Sequence, residues 1–225
     1  MTTARKLVIA IDGPAGSGKS TIAARLAKKF GYVNLESGAM YRALALQAME
    51  QNVSLDDGDA LRQLADRTVI DLEPGGEGNR VLLDGRDVSR RMRDADVTAA
   101  ASRVSIHPQV REVMVKRQRA LGQDGGVVME GRDIGTAVFP NADVKIFLDA
   151  DQNVRAERRV VQAGLRSADD TQRVMAELAV RDQRDRTRAA SPLVPAPDAV
   201  HIDTTHKSID DVVAEVEQLV RKVRE

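Results

Sequence analysis

Eight consecutive residues near the N-terminus, Gly13-Pro14-Ala15-Gly16-Ser17-Gly18-Lys19-Ser20, satisfy the pattern G-x-x-x-x-G-K-[ST]. The chemistry behind that spelling is phosphate binding. Glycines permit the positive φ angles that turn successive backbone N–H groups toward one anion, and a helix starting where the loop ends adds its positive dipole end. In such a loop Lys19 reaches the β- and γ-phosphates of a nucleoside triphosphate, and the Ser20 hydroxyl coordinates Mg²⁺. Residues Gly13 to Ser20, together with Thr21, are the expected triphosphate-binding set.

The motif works only between a buried strand and a helix, and the flanking sequence supplies both. Leu7 to Ile11 is a short, continuous apolar run that suits a strand buried on both faces. Ser20 to Phe30 reads as an amphipathic helix with Ile22, Leu26 and Phe30 on one side. A short strand at Val33–Leu35 and a helix from Ala39 to Gln51 follow. Val127–Met129, Val144–Leu148 and Ala199–Ile202 read as further buried strands between helical stretches. Alternation of this kind predicts an α/β fold with a parallel β-sheet core of P-loop NTPase type and helices on both faces.

Two segments break the rhythm. Thr68–Glu73 and Arg80–Asp84 flank the turn-rich Pro74–Asn79, which reads as a β-hairpin and makes about 60–105 an inserted subdomain. The other, about 153–190, is charged and helical, with a break at Ala163-Gly164 and an acidic turn at Asp169-Asp170. The last helix aligns Ile209, Val212, Val213, Val216, Leu219, Val220 and Val223 in one apolar stripe.

Composition bounds the rest. The chain has 225 residues, enough for one domain that buries about 70% of its unfolded surface without staples. With no cysteine, a disulfide scaffold, a thiolate zinc site and a cysteine nucleophile are excluded, and three scattered histidines offer no metal cage. No apolar run approaches the roughly 18–20 residues of a membrane span, and Met1–Lys6 lacks a signal-peptide core, so a cytoplasmic protein is expected. Basic and acidic residues balance at 34 each, against a nucleic-acid binder built on bulk charge. Among the basic residues 26 are Arg and 8 are Lys, and nine of the Arg lie between Arg155 and Arg188. Arg presents a planar fork that fits phosphate and carboxylate oxygens.

Kinases, GTPases, motors and transporters all use phosphate loops. The base-reading Asn-Lys-x-Asp of GTPases is absent. The strand that would end in a motor's metal-side acid is Val127–Glu130, followed at once by Gly131-Arg132-Asp133. An Arg beside that acid suits a second bound phosphate better than a hydrolytic water, which favours a small kinase.

Several further segments agree: Ile11-Asp12-Gly13, Ser37-Gly38-Ala39-Met40-Tyr41-Arg42, Ala101–Val104, Pro108–Arg111, Gly131-Arg132-Asp133-Ile134-Gly135-Thr136, Asp149-Ala150 and Arg181–Arg186. Together they resemble the bacterial cytidylate kinases (CMP/dCMP kinases), a family of P-loop nucleoside monophosphate kinases, from about Leu7 to the C-terminus. S-G-A-x-Y-R and G-R-D-x-G-T are specific to that family among its relatives. The resemblance implies a core of about 1–37, 106–152 and 190–225, a monophosphate-binding subdomain with its insert at about 38–105, and a lid at about 153–190. It implies in-line transfer of the γ-phosphoryl group of ATP to CMP or dCMP, with Mg²⁺. Small-molecule partners and a monomer are expected, with no nucleic acid and no membrane.

Arg42 and Arg132 are placed to fork the acceptor phosphate, the plain alternative for each being a surface salt bridge; the resemblance favours the first. Cytosine shows an amino donor beside two acceptors, where uracil has O4 and a protonated N3. By resemblance Arg111 supplies the donor, Asp133 and Ser102 the acceptors, and Ser37 and Tyr41 belong to the same CMP site. From the residues alone Arg111 also reads as solvated, because Val110, Val113, Met114 and Arg117 supply that helix's buried stripe. Arg181, Arg184, Asp185 and Arg188 share one helical face, and Arg155, Arg158, Arg159 and Gln162 repeat the spacing. Pairs such as Arg181–Asp185 on solvated helices would explain the Asp but leave the surplus positive charge unused. By resemblance Arg181, Asp185 and Arg188 contact the acceptor nucleotide, Asp185 through the sugar. Lys19, Arg132, Arg158 and Arg184 are the expected catalytic set, the last two as lid guanidiniums on the transferring group. No general base is required, since the second pKa of a phosphate monoester is about 6. The competing readings are another acceptor (UMP, AMP or shikimate) and a non-catalytic ATP-dependent switch.

Overall fold

In the computed structural model, which describes residues 5–75, 78–165 and 167–224, the chain begins with β1 (Val8–Asp12), α1 (Lys19–Phe30), β2 (Val33–Glu36) and α2 (Ser37–Glu50). The inserted region follows as α3 (Gly58–Arg67), β3 (Ile70–Gly75), β4 (Gly78–Leu83), β5 (Arg86–Asp87) and α4 (Ala95–Val104). Then come α5 (Pro108–Gly122), β6 (Val127–Gly131), β7 (Val144–Asp149), α6 (Gln152–Gln162), α7 (Ala168–Thr187), β8 (Val200–Asp203) and α8 (Ile209–Arg224).

The main sheet has strand order β2-β6-β1-β7-β8, and every pairing in it is parallel. β1 and β6 run side by side with Asp12 opposite Gly131. All five residues of β6 are buried, as expected of a strand covered on both faces. Ile9, Ile11, Val128, Ile146 and Leu148 pack against α1 and α8 on one face. Ala10, Leu35 and Met129 pack against Ile134 and Val138 on the other. β8 corrects an expectation: of its four residues only Ile202 is buried, because β8 is an edge strand with a neighbour, β7, on one side alone. The stripe of α8 also narrows, since Ile209 and Val223 at its ends are exposed and Val212, Val213, Val216 and Val220 form its buried middle.

The insert forms its own three-stranded antiparallel sheet, β3-β4-β5. The hairpin turn expected at Gly76-Glu77 lies outside the described residues. Val81, Leu83, Val88 and Met92 cover one side of α2, at Ala39, Ala43 and Leu46. The opposite side, at Met40, Leu44 and Ala48, packs on α3, α4 and α5. α2 is therefore apolar around most of its circumference and is the axis of the subdomain. The N-terminal half of α5, placed by sequence in the core, contributes Val110, Val113 and Met114 to this cluster.

α6 and α7 pack through Ala156, Val160, Val174 and Leu178, with Ala15 of the glycine-rich loop against them. The expected acidic turn is a helix start: Ser167 caps α7, and Asp170 returns the bond to the Ser167 N–H.

Candidate active site

The loop after β1 enters at Gly13, whose φ is +147° and where a Cβ would lie 2.0 Å from the carbonyl oxygen of Leu148. No other residue fits there. The loop is braced on itself: Ser17 Oγ donates to Pro14 O (3.0 Å), and Lys19 Nζ donates to the same oxygen (2.6 Å). Lys19 is buried at the start of α1. Burial, and then the nearby Arg132 guanidinium, pushes its pKa down to about 7. Ser20 Oγ donates to Glu130 Oε1 at 2.6 Å, joining the loop to the end of β6. Thr21 follows, exposed, in the first turn of α1.

Glu130 faces Glu36 across the β2–β6 pairing. Glu36 accepts from Arg42 Nη2 (2.5 Å). Burial tends to raise the Glu36 pKa, but Arg42 outweighs it and holds the carboxyl below the usual range. Glu130 has no such partner, and burial, followed by the Glu36 charge, pushes its pKa up. Asp12, 4% exposed, accepts backbone N–H bonds from Ile134 and Gly135, both at 2.7 Å. Burial still lifts its pKa to about 6. These two bonds hold the wide turn after Asp133 and so fix where Gly131-Arg132-Asp133 stands.

Arg132 Nε donates to Asp185 Oδ2 of α7 (2.9 Å). Arg188, its side chain 2% exposed, lies 3.5 Å from Asp133 Oδ1 and 3.7 Å from Asp185 Oδ1. Arg111 is ion-paired with Asp133, donates to Ser105 O (3.2 Å) and lies over the Tyr41 ring at 5.5 Å. It is 3% exposed, so the solvated reading is wrong. A stripe of Val and Met cannot reveal that a guanidinium is buried beside it when the carboxylate that neutralises it is 22 residues away.

Sequence grouped Arg181 with Asp185, but no carboxylate among the described residues lies within ion-pair distance of Arg181. Asp185 is taken by Arg132 instead. Burial, and then Arg132, pulls the Arg181 pKa down to about 10. The Nε atoms of Arg42, Arg111 and Arg181 and the Tyr41 hydroxyl are buried without a hydrogen-bond partner. Buried donors left bare are costly. Together with Arg188 Nη2, also bare, they are donors that ligand oxygens could satisfy. Ser37 Oγ donates to Glu130 O (2.8 Å), tying the start of α2 to the same strand end.

The two lid guanidiniums named from sequence are each bonded to other groups of the chain. Arg158 donates to Thr204 Oγ1 (3.0 Å) and Thr204 O (2.6 Å), in the loop after β8, and Thr204 Oγ1 in turn donates to Ser17 O (3.2 Å). Arg184 Nη1 donates to Ser102 Oγ of α4 (2.8 Å). Sequence reasoning assigned no role to Asp12, Glu36 or Arg155. A carboxylate closing an apolar strand was the available signal for the first.

The arrangement can hold two anionic groups side by side. Backbone N–H groups and Lys19 form one wall, Arg42, Arg132 and Arg181 the other, and Arg132 stands close enough to disfavour the Lys19 ammonium. No group of three or more metal-ligating side chains exists among the described residues. The Ser20 hydroxyl and Glu130 carboxylate are oxygen donors that suit a hard cation sharing phosphate oxygens.

The sequence model of one family, cytidylate kinase, matches residues 9–222. A cytidylate kinase of Geobacillus sp. (strain WCH70) is 49% identical over 215 residues, spanning 95% of this chain and 96% of that protein. One from Solibacter usitatus (strain Ellin6076) is 46% identical over 227 residues, spanning 99% and 94%. A gluconokinase from Sinorhizobium meliloti 1021 superposes with a TM-score of 0.50 at 15% identity, covering 98% of this chain and 95% of that one, a likeness of fold alone.

Proposed function

The chain belongs to the cytidylate kinase family, and from that premise we propose roles for the residues that line its cleft. The reaction is transfer of the γ-phosphoryl group of ATP to CMP or dCMP, giving ADP and CDP or dCDP. The observation that carries the assignment of roles is the cationic wall of Arg42, Arg132 and Arg181, in which Arg181 has no carboxylate within ion-pair distance among the described residues and the Nε atoms of Arg42 and Arg181 are bare.

In this reading Gly13 to Thr21 hold the ATP phosphates, and Lys19 leaves Pro14 O for the oxygens between the β- and γ-phosphorus atoms. Arg42, Arg132 and Arg181 hold the acceptor phosphate. Its oxyanion attacks the γ-phosphorus in line, the new P–O bond forming as the bond to the β-phosphate oxygen breaks. No side chain removes a proton, because that oxygen carries none near neutral pH. Lys19 and Arg132 face the equatorial oxygens, and preorganised charge in a dry cleft does most of the work. Asp185 and Arg188 take the sugar. Arg111, Asp133 and Ser102 read the cytosine edge, with Tyr41 and Ser37 supporting that wall. Arg158 and Arg184 remain candidates for the in-flight phosphoryl group once nucleotides reorganise the lid.

Mg²⁺ would be held by Ser20, with Glu130 behind it and the ATP phosphates completing the shell. When bound, it supplies charge neutralisation of the triphosphate. The protein is proposed to act as a monomer on small molecules in the cytoplasm, where its nucleotide substrates are drawn from; no described helix is long and apolar enough to cross a membrane.

The test is ADP release measured with CMP, dCMP, UMP, AMP and no acceptor. CMP and dCMP are expected to drive it. A faster rate with AMP or UMP would overturn the acceptor assignment, and nucleotide binding with no turnover on any acceptor would point to the non-catalytic ATP-dependent switch.

A further inference from the structure

Arg155, in the second turn of α6, is buried, and its guanidinium joins three parts of the chain. Nε donates to Ala150 O at 3.0 Å, anchoring the side chain at the end of β7. Nη1 donates both to Ala15 O at 3.0 Å, at the crest of the phosphate loop, and to Asp182 Oδ2 at 2.6 Å, on α7. The side chains of Arg155 and Asp182 are 8% and 10% exposed. The loop also touches the lid directly. Ala15 packs against the apolar contact of α6 with α7, and a Cβ at Gly16 would lie 2.9 Å from Arg155 O and 3.0 Å from Arg155 Cβ.

The peptide between Ala15 and Gly16 is trans, like every peptide bond described. In a planar trans peptide the C=O and N–H point in opposite directions. A guanidinium that holds Ala15 O on the lid side therefore turns the Gly16 N–H to the other side, away from Arg155. The same guanidinium grips Asp182, which is adjacent in sequence to Arg181 and less than one helical turn from Asp185. The geometry points to Arg155 as a positioning residue that aims the Gly16 N–H at the donor phosphate, and to the Arg155–Asp182 pair as the link by which docking of α7 sets the shape of the loop. Lid position and donor-phosphate binding are then one equilibrium: with α7 undocked, the Ala15–Gly16 peptide loses the partner that orients it.

The inference rests on the reading of Gly13–Ser20 as the donor loop, so the experiment separates the two. Arg155→Lys keeps the charge, but a single ammonium cannot span Ala150 O, Ala15 O and Asp182 together. Asp182→Ala removes the lid anchor, whose side chain, among the described residues, accepts from Arg155 alone. For both variants kcat and the KM for ATP and for CMP are measured separately, with Lys19→Ala alongside and a thermal melt confirming the fold. The expected result is an ATP KM raised at least about fivefold in both variants, with the CMP KM changed by less than about twofold. Loss of packing alone would lower Tm without splitting the two KM values. If Arg155→Lys does not fold, Asp182→Ala carries the test, because it leaves the guanidinium in place. An unchanged ATP KM in Asp182→Ala, or a CMP KM that rises as much as that for ATP, overturns the inference. Turnover surviving in Lys19→Ala would instead overturn the donor-loop reading beneath it.

Discussion

Arg184 of α7 and Ser102 of α4 meet across the cleft, Nη1 to Oγ at 2.8 Å. One residue lies in the proposed lid and the other in the proposed monophosphate-binding subdomain, so in that reading this bond spans the two parts that separate to admit a nucleotide. Arg184→Met keeps most of the stem and removes the donor. We expect kcat with CMP to fall about fivefold, from a charged hydrogen bond worth ~1 kcal/mol after partial exposure. ADP release without acceptor should rise as a fraction of turnover. Equal coupling in variant and parent, by parallel ADP and CDP assays, would assign the bond to folding alone.

Lys19 gives a prediction in protons. Its pKa of about 7 leaves it mostly neutral at pH 8, and bound phosphates favour the ammonium. ATP binding at pH 8 should therefore take up close to about one proton, and at pH 6, where Lys19 is already charged, almost none from this group. Calorimetry in buffers of different ionisation enthalpy reads the number, with Lys19→Met as the subtraction control. In the same variant turnover should drop by at least about a hundredfold.

Asp133 and Arg42 should fail differently. Asp133→Asn replaces an acceptor-only group by one that also donates, so the preference for CMP over UMP should narrow by about 1–3 kcal/mol. It also leaves the buried Arg111 and Arg188 short of their counterion, and Tm should fall with a stability loss of about 3 kcal/mol. Arg42→Ala removes the contact proposed to a phosphate common to all acceptors. It should weaken CMP, dCMP and UMP by similar factors. The kcat/KM values for the three acceptors decide, and a reversed pattern would mean that the base and phosphate ends have been exchanged.

The sign for Asp12 runs against the usual carboxylate. Its folded pKa is raised from 3.8 to about 6, so between those values the folded state binds the extra proton. Stability from this group is full below about pH 4 and is lost as pH rises through about 6, a change on the order of 3 kcal/mol. Urea unfolding at pH 4, 5 and 6 should show that slope in the parent protein and not in Asp12→Asn. If both proteins show the same slope, another group is responsible.

The phosphate loop was legible because backbone geometry dictates its glycines, and the parallel sheet because doubly covered strands are short unbroken apolar runs. Arg111 was not, since its burial depends on Asp133 and Tyr41, both distant in sequence. Nor was Arg158, whose partner Thr204 is 46 residues away on a loop with no pattern of its own. The exposure of β8 follows from strand order, which five apolar runs do not reveal. Asp12 was visible as a residue, but its task depends on two N–H groups more than 120 residues later.

Adjacent strands β1 and β6 place Asp12 opposite Gly131, so the next residue on each, Gly13 and Arg132, leaves the sheet one strand spacing apart, about 4.8 Å. The gauge between the two substrate tracks is thus laid down by the hydrogen-bonded lattice of the main chain, and no side-chain exchange can widen it. Of the residues proposed for base choice, Asp133 stands next to one rail, but Ser102 and Arg111 are carried on separate joinery, α4 and α5. A lineage could retool what it accepts there while the rails carrying the phosphoryl group stay at their original pitch.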